Sequence, residues 1–272
     1  MKNIYSRIFA CCMCVILQST CFAQDLKRPD SYRLVWSDEF DKNGLPNPAN
    51  WIHDSNRNKL GWYNNELQYY SAPRVENAVV KNGILKITAR KETMKQALDW
   101  GGQNYTSARL ISKGLGDWTY GFFEVRAKMP CGKGTWPAIW TLGSGGRWPE
   151  DGELDIMEHM GHTPQRISSA VHVKAGHGGQ AVSGASQIFD ACQKFHLYQM
   201  HWTAGGITFG VDGKAHLRFP KMSGGSDIWP FDSDQFLILN LAIGGDLGGK
   251  VDDRIFPLSL EVDYVRVYQS SN

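Results

Sequence analysis

The chain has 272 residues and a formal net charge of +2, and it is 42% hydrophobic and 12% aromatic with 29 glycines. That length allows one large β domain or two small ones. Without residues 1–23, which hold Lys2 and Arg7 but no acid, the 29 basic residues fall to 27 and balance the 27 acidic ones. Such neutrality argues against nucleic acid, an anionic membrane or a strongly acidic polysaccharide as partner, while leaving room for a local basic patch.

The chain opens on a basic start, Lys2 and Arg7, followed by an apolar stretch from Ile8 to about Leu17. Cys21-Phe22-Ala23 then sets small residues at the positions a signal peptidase reads before Gln24. A cleaved signal over 1–23 is expected, with export to the periplasm, the cell surface or the medium, and one domain over 24–272. The apolar core is short for a membrane span. Leu17 to Cys21 offers lipid attachment at Cys21 as a minor alternative. Cys11, Cys12, Cys14 and Cys21 leave with the signal, so Cys131 and Cys192 remain. An oxidising compartment lets them pair; the sequence leaves a disulfide and two separate thiols equally open.

Farther along, Leu85, Ile87 and Ala89 alternate with Lys86, Thr88 and Arg90, and Phe123, Val125, Ala127 and Met129 alternate with Glu124, Arg126 and Lys128. Both patterns predict half-buried strands. Asp212-Gly213, inside Ile207–Phe219, predicts a tight hairpin turn. Phe236–Gly245 is nearly all apolar and is expected to cross the core, and Leu260–Tyr268 to close the sheet. No long helical periodicity, repeat or linker interrupts the series. Many short strands with glycine turns predict an all-β sandwich or jelly roll, with a barrel or propeller as runner-up.

The most informative segment is Asp151-Gly152-Glu153-Leu154-Asp155-Ile156-Met157-Glu158-His159. On a strand, Glu153 and Asp155 share one face and Leu154 and Ile156 the other. Unbroken alternation would bury Glu158 and expose Met157, which is chemically poor. A β-bulge at Ile156-Met157 resets the phase and sets all three acids on one face. Crowded carboxyls push their pKa values apart, and glycoside hydrolysis needs one ionised and one protonated carboxyl at the same pH. An ordinary polar strand face and a hard-cation site are the other readings of these residues. His159 and His162 lack the helical spacing of a zinc protease and read as supporting or surface residues. Nearby, Trp136 and Trp140 lie four apart on one strand face, with Trp148 following. Indole faces suit the C–H surfaces of sugar rings, although each tryptophan alone is equally explained by core packing. Asn65, Glu66, Gln68, Arg109 and His172 supply possible hydroxyl partners.

At these residues the chain resembles glycoside hydrolase family 16, in particular its laminarinase-like branch. The acid segment is similar to the family's bulged E-x-D-x-x-E, and Gly134–Leu142 to its tryptophan segment. Trp36–Phe40, Asn65–Gln68, Tyr105–Arg109, Tyr120–Arg126, Leu239–Gly245 and Val262–Tyr268 extend the likeness across the chain. The resemblance implies a concanavalin-like β-jelly-roll sandwich with a concave cleft and retaining hydrolysis of a β-1,3-glucan, with mixed-linkage β-1,3/1,4-glucan as a further substrate. Glu153 would be the nucleophile, Glu158 the acid/base and Asp155 the residue tuning Glu153. Asn65, Arg109, Trp136, Trp140 and His172 would line the glycone side, with Trp148 beside them. It also implies a structural calcium at Asp263, with backbone oxygens near Glu39 and Gly83, and no cofactor for the chemistry. A monomer acting on polysaccharide is expected. One departure stands out: Asp246-Leu247 follows Gly244-Gly245 where relatives often carry Asn-Trp. The same motif fits a galactan hydrolase of the agarose type, a transglycosylase or, with less need for three acids, a non-catalytic glucan-binding module.

Overall fold

The computed structural model describes residues 25–271. The signal reading over 1–23 and the lipid-attachment alternative at Cys21 lie outside them. In chain order the strands are β1 (Tyr32–Asp38), β2 (Ile52–His53), β3 (Gln68–Tyr70), β4 (Ala78–Lys81), β5 (Ile84–Ala89) and β6 (Tyr105–Ser107). Next come β7 (Arg109–Ile111), β8 (Asp117–Trp118), β9 (Gly121–Lys128), β10 (Thr135–Gly143), β11 (Glu153–His159) and β12 (Arg166–His172). The remainder are β13 (Val182–Gln187), β14 (His196–Thr203), β15 (Gly206–Val211), β16 (Lys214–Pro220), β17 (Gln235–Ile243) and β18 (Leu258–Ser270). A single α-helical turn, α1 (Gly245–Gly248), joins them among the described residues.

Two antiparallel sheets form a jelly-roll sandwich. One runs β16-β15-β14-β9-β18-β5-β4, with β1 also paired to β18; the other runs β13-β12-β11-β10-β17-β7-β2, with β8 paired to β17. The period-two patterns become the inner faces: Leu85, Ile87 and Ala89 of β5 and Val125 and Ala127 of β9 are fully buried, in one cluster with Leu237, Leu239, Leu241 and Ile243 of β17. Each large side chain buried there contributes about 1.5–3 kcal/mol. All nine residues of β17 are buried. Its other face, Phe236, Ile238, Asn240 and Ala242, lies beneath the cleft, so the strand reads as one apolar run rather than an alternation. Asp212 and Gly213 turn the β15–β16 hairpin with φ of 50° and 76°, the double positive that this two-residue turn requires.

Cys131 and Cys192 are joined in a disulfide, with Cα atoms 5.7 Å apart. The bond closes the end of the β9–β14 ladder, where Met129 N–H also donates to Ala191 O at 3.0 Å.

Candidate active site

The acid strand β11 is irregular where the alternation argument requires it. Against β10, Glu158 pairs with Ala138 and Met157 with Ile139, but Asp155 pairs with Trp140, leaving Ile156 without an opposite residue. Against β12 the register shifts between Asp155 and Glu158. Ile156 and Met157 are both fully buried, and Ser169 Oγ donates to Ile156 O at 2.8 Å, giving the bulged backbone a partner. Glu158 thereby rejoins Glu153 and Asp155 on the cleft face. His159 turns to the opposite side, fully buried with Nε2 3.0 Å from Pro164 O, away from the acids. It is not a surface residue, because the bulge that returns Glu158 to the cleft sends its neighbour inward.

Each glutamate meets an indole. Trp136 Nε1–H donates to Glu158 Oε1 at 3.0 Å, and Trp148 Nε1–H donates to Glu153 Oε2. Trp136 lies on β10, whereas Trp148 projects from the loop between β10 and β11 and is half exposed. Asp155 sits between the glutamates, 3% exposed, with His172 Nε2 3.1 Å from its Oδ2. Gly178 N–H donates to His172 Nδ1 at 3.1 Å, so a neutral imidazole carries its proton on Nε2, the nitrogen beside Asp155.

Burial raises all three carboxyl pKa values. Glu153 is pushed well above the usual carboxylate range by burial and then by the neighbouring Asp155 charge. Asp155 is pushed well up by burial and then by Glu158, and Glu158 is raised by burial. Burial and mutual repulsion both work against three full charges on this face, which favours a proton shared among the acids. Ligand-type atoms of Glu153, Asp155 and His172 lie within 4.8 Å of one another. A cation held there would compete with the indole N–H on Glu153.

Stability follows with a definite sign. A carboxyl whose folded pKa is raised is at its most favourable below its unfolded value, 4.5 for Glu and 3.8 for Asp. That stability is lost as pH rises through the folded pKa. Asp155→Asn and Glu153→Gln should therefore melt above the parent near neutral pH, with the advantage shrinking toward about pH 4. Melting curves at both ends of that window check this; an advantage that grows on acidification contradicts it.

The rest of the cleft face is held by a polar chain. Trp140 Nε1–H donates to Asn240 Oδ1 at 2.7 Å, and Asn240 Nδ2–H donates to Tyr70 Oη at 2.8 Å. Tyr70 Oη–H donates to Glu66 at 3.4 Å, and Gln68 Nε2–H donates to the same carboxylate oxygen at 2.7 Å. Gln68 is fully buried and accepts from Ile243 N–H, so it braces the sheet rather than meeting sugar, contrary to the sequence expectation. Burial raises the Glu66 pKa. Arg109 lies with its guanidinium 4.7 Å from the Trp140 ring centroid and donates from Nε to Asp54 Oδ2 at 2.9 Å. Asn65, at φ 56°, donates its amide to Asp246 Oδ1 at 2.7 Å, and Leu247 follows, 39% exposed. Asp54, Tyr70 and Asn240 received no role from the sequence, since Asp54 lies 55 residues from Arg109 and Asn240 lies 100 from Trp140 and 170 from Tyr70.

At the place where the resemblance implies a calcium, Asp38 pairs with Val265 and Leu85 with Val262, so the ends of β1 and β5, near Glu39 and Gly83, flank Asp263. Asp263 Oδ2 meets Arg126, and the Glu39 carboxylate is gripped by Arg266 at 2.8 and 3.0 Å. The Glu39 side chain is thus taken up by Arg266, which leaves its backbone oxygen as the group it could offer a cation, and the Asp263 carboxylate could serve one only while shared with Arg126.

A jelly roll carrying paired, indole-bonded carboxyls on a bulged strand defines a glycoside hydrolase. The model of the Glycosyl hydrolases family 16 matches residues 65–252. The chain is 45% identical over 253 residues to a β-glucanase of Rhodothermus marinus, covering 88% of this chain and 85% of that protein. It is 32% identical to the glucan endo-1,3-β-glucosidase A1 of Niallia circulans, covering 87% of this chain but 38% of that longer protein. Among solved structures, SCLam, a non-specific endo-β-1,3(4)-glucanase from family GH16, superposes with a TM-score of 0.89 at 49% identity, covering 91% of this chain and 94% of that one. The laminarinase from Rhodothermus marinus gives 0.83 at 44% identity, covering 89% and 98%. The chain belongs to glycoside hydrolase family 16.

Proposed function

We propose that the chain is a retaining endo-β-glucanase acting on β-1,3-glucan of the laminarin type and on mixed-linkage β-1,3/1,4-glucan. The observation that carries the reading is the bulge at Ile156, which turns Glu153, Asp155 and Glu158 to one face with an indole N–H on each glutamate. Retaining hydrolysis needs a nucleophile and an acid/base on opposite sides of one glycosidic bond. Glu153 attacks the anomeric carbon while Glu158 gives its proton to the departing glycosidic oxygen. Glu158, now a carboxylate, takes a proton from water, whose oxygen displaces Glu153 and regenerates both carboxyls. Asp155 holds the proton that lets it donate to Glu153, limiting the charge beside the nucleophile. Trp136, Trp140 and Trp148 offer rings to the sugar faces, and Asn65, Arg109 and His172 polar edges to its hydroxyls. No step asks for a cofactor.

Substrate assignment is tested by incubating the protein with laminarin, lichenan, xyloglucan and agarose and sizing the products. Oligosaccharides of mixed length from laminarin and lichenan are expected. Release from agarose alone would move the reading to a galactanase. Release from none would leave a glucan-binding module.

The proposal extends to a structural calcium at Asp263 and the backbone near Glu39 and Gly83. It would tie the ends of β1 and β5 to β18, far from the chemistry. Chelation should lower the melting temperature by several degrees with little change in kcat at 25 °C, and added calcium should restore it; identical melting with and without chelator argues against it. Export after cleavage near Ala23, and a monomeric state, belong to the same reading. N-terminal sequencing of the expressed protein and light scattering test them.

A further inference from the structure

At the Glu153 end, the side of the cleft lined by Trp148 and Arg109 extends into a hollow whose other residues are of different chemistry. Its apolar lining comes from Ile111 of β7, Leu142 of β10 and Phe236 of β17. Trp62, Tyr63 and Trp148 also line it. Four cations line it, namely Arg57, Arg109, Lys113 and Arg147, against one lining acid, Asp54.

Two of the four are neutralised. Arg109 pairs with Asp54 at 2.9 Å, and Arg147 with Asp151 at 2.6 Å. Arg57 and Lys113 have no carboxylate within ion-pairing distance among the described residues. Arg57 instead lays its guanidinium over the Tyr63 ring at 4.3 Å, spending one N–H on Gly61 O at 3.4 Å. Lys113 holds its ammonium 5.2 Å from the Phe236 ring centroid. Both charges are thus set by aromatic faces beside a partly apolar hollow, an arrangement that adds positive potential there. A neutral sugar needs hydrogen-bond partners but no uncompensated charge. The apolar lining suits a pyranose ring, and the two free cations suit an oxyanion projecting from it.

We propose that this hollow is a distal subsite for a β-glucan residue bearing an anionic substituent, a ring carboxylate or a sulfate ester. The inference rests on the glucanase reading of the adjoining acids. The near balance of 27 acidic and 27 basic residues after residue 23 argues against a polyanion, so the matching substrate is a sparsely substituted chain with single charges presented to this one place.

The test compares laminarin, laminarin lightly oxidised to carboxylate at C6, and laminarin lightly sulfated, at low and high salt. With the wild-type protein, one of the anionic chains should show a KM about fivefold below that of the neutral chain at low salt, converging at high salt. Which one does so separates carboxylate from sulfate. Product mapping should find the charged residue at one fixed distance from the new reducing end. Arg57→Gln/Lys113→Gln should abolish the preference while leaving kcat/KM on neutral laminarin within about twofold. Equal loss on neutral and anionic chains overturns the proposal, since the cations would then be ordinary hydroxyl donors. So does a wild-type enzyme that cleaves neutral laminarin with no anion preference. No cleavage of neutral laminarin removes the glucanase reading itself, a distinguishable failure.

Discussion

Glu158→Ala should cut kcat on laminarin by about 10²–10⁴, the usual contribution of general acid–base catalysis. The loss should depend on the leaving group. An aryl β-laminaribioside with a strongly acidic phenol needs no proton to depart, so its first step should survive, and azide should intercept the glycosyl-enzyme to give a β-glycosyl azide. Glu153→Ala should behave differently. No leaving group rescues the missing nucleophile, while azide filling the space of its carboxylate should displace the aglycone once and give the α-glycosyl azide. The distinct outcomes follow from position: Glu153 and Glu158 stand at opposite ends of the bulged strand segment, opposite Leu142 and Ala138 respectively, and each is held by its own indole. Product anomeric configuration by NMR, on variants whose near-ultraviolet circular dichroism matches the parent, decides it. A β-azide from Glu153→Ala would mean that the two roles are exchanged.

Removing the disulfide should cost more stability than any surface change. Cys131 and Cys192 lie 61 residues apart in sequence, and the loop they close holds β10, β11, β12 and β13, including the whole acid strand. Chain-entropy arguments value closure of a loop this long at about 4 kcal/mol. For a domain of this size that corresponds to a drop in melting temperature on the order of 10 °C. Cys131→Ala/Cys192→Ala, measured by calorimetry against the parent, should show that drop. Activity at 25 °C should survive, because the staple acts mainly on the unfolded chain. A shift below about 3 °C would mean that the loop is already constrained without it.

Much of the fold was legible because its signals are local. Period-two alternation marks β5 and β9, Asp212-Gly213 marks its hairpin by the positive φ that this pair tolerates, and the continuous apolar run of β17 marks a strand covered on both faces. The bulge was legible too, since a charge sent into the core and a methionine sent out of it would together cost more than one extra unpaired residue. What stayed hidden depends on partners distant in sequence. Gln68 looks like any polar residue near a cleft, and only the packing of β3 against the Ile243 end of β17 buries it. His159 looks like a neighbour of the acids, and only the phase of the bulged strand turns it away.

From sequence alone came the all-β sandwich, the acid face of Glu153, Asp155 and Glu158, and the tryptophans around it, because strand phase and side-chain chemistry are properties of adjacent residues. The tertiary structure alone decided that Cys131 meets Cys192, that Trp140 is held through Asn240 and Tyr70 to Glu66, that Arg109 spends its charge on Asp54, and that Arg57 and Lys113 meet no carboxylate among the described residues. Those outcomes rest on which distant segments the two sheets bring within hydrogen-bonding or ion-pairing reach, and no local pattern encodes that.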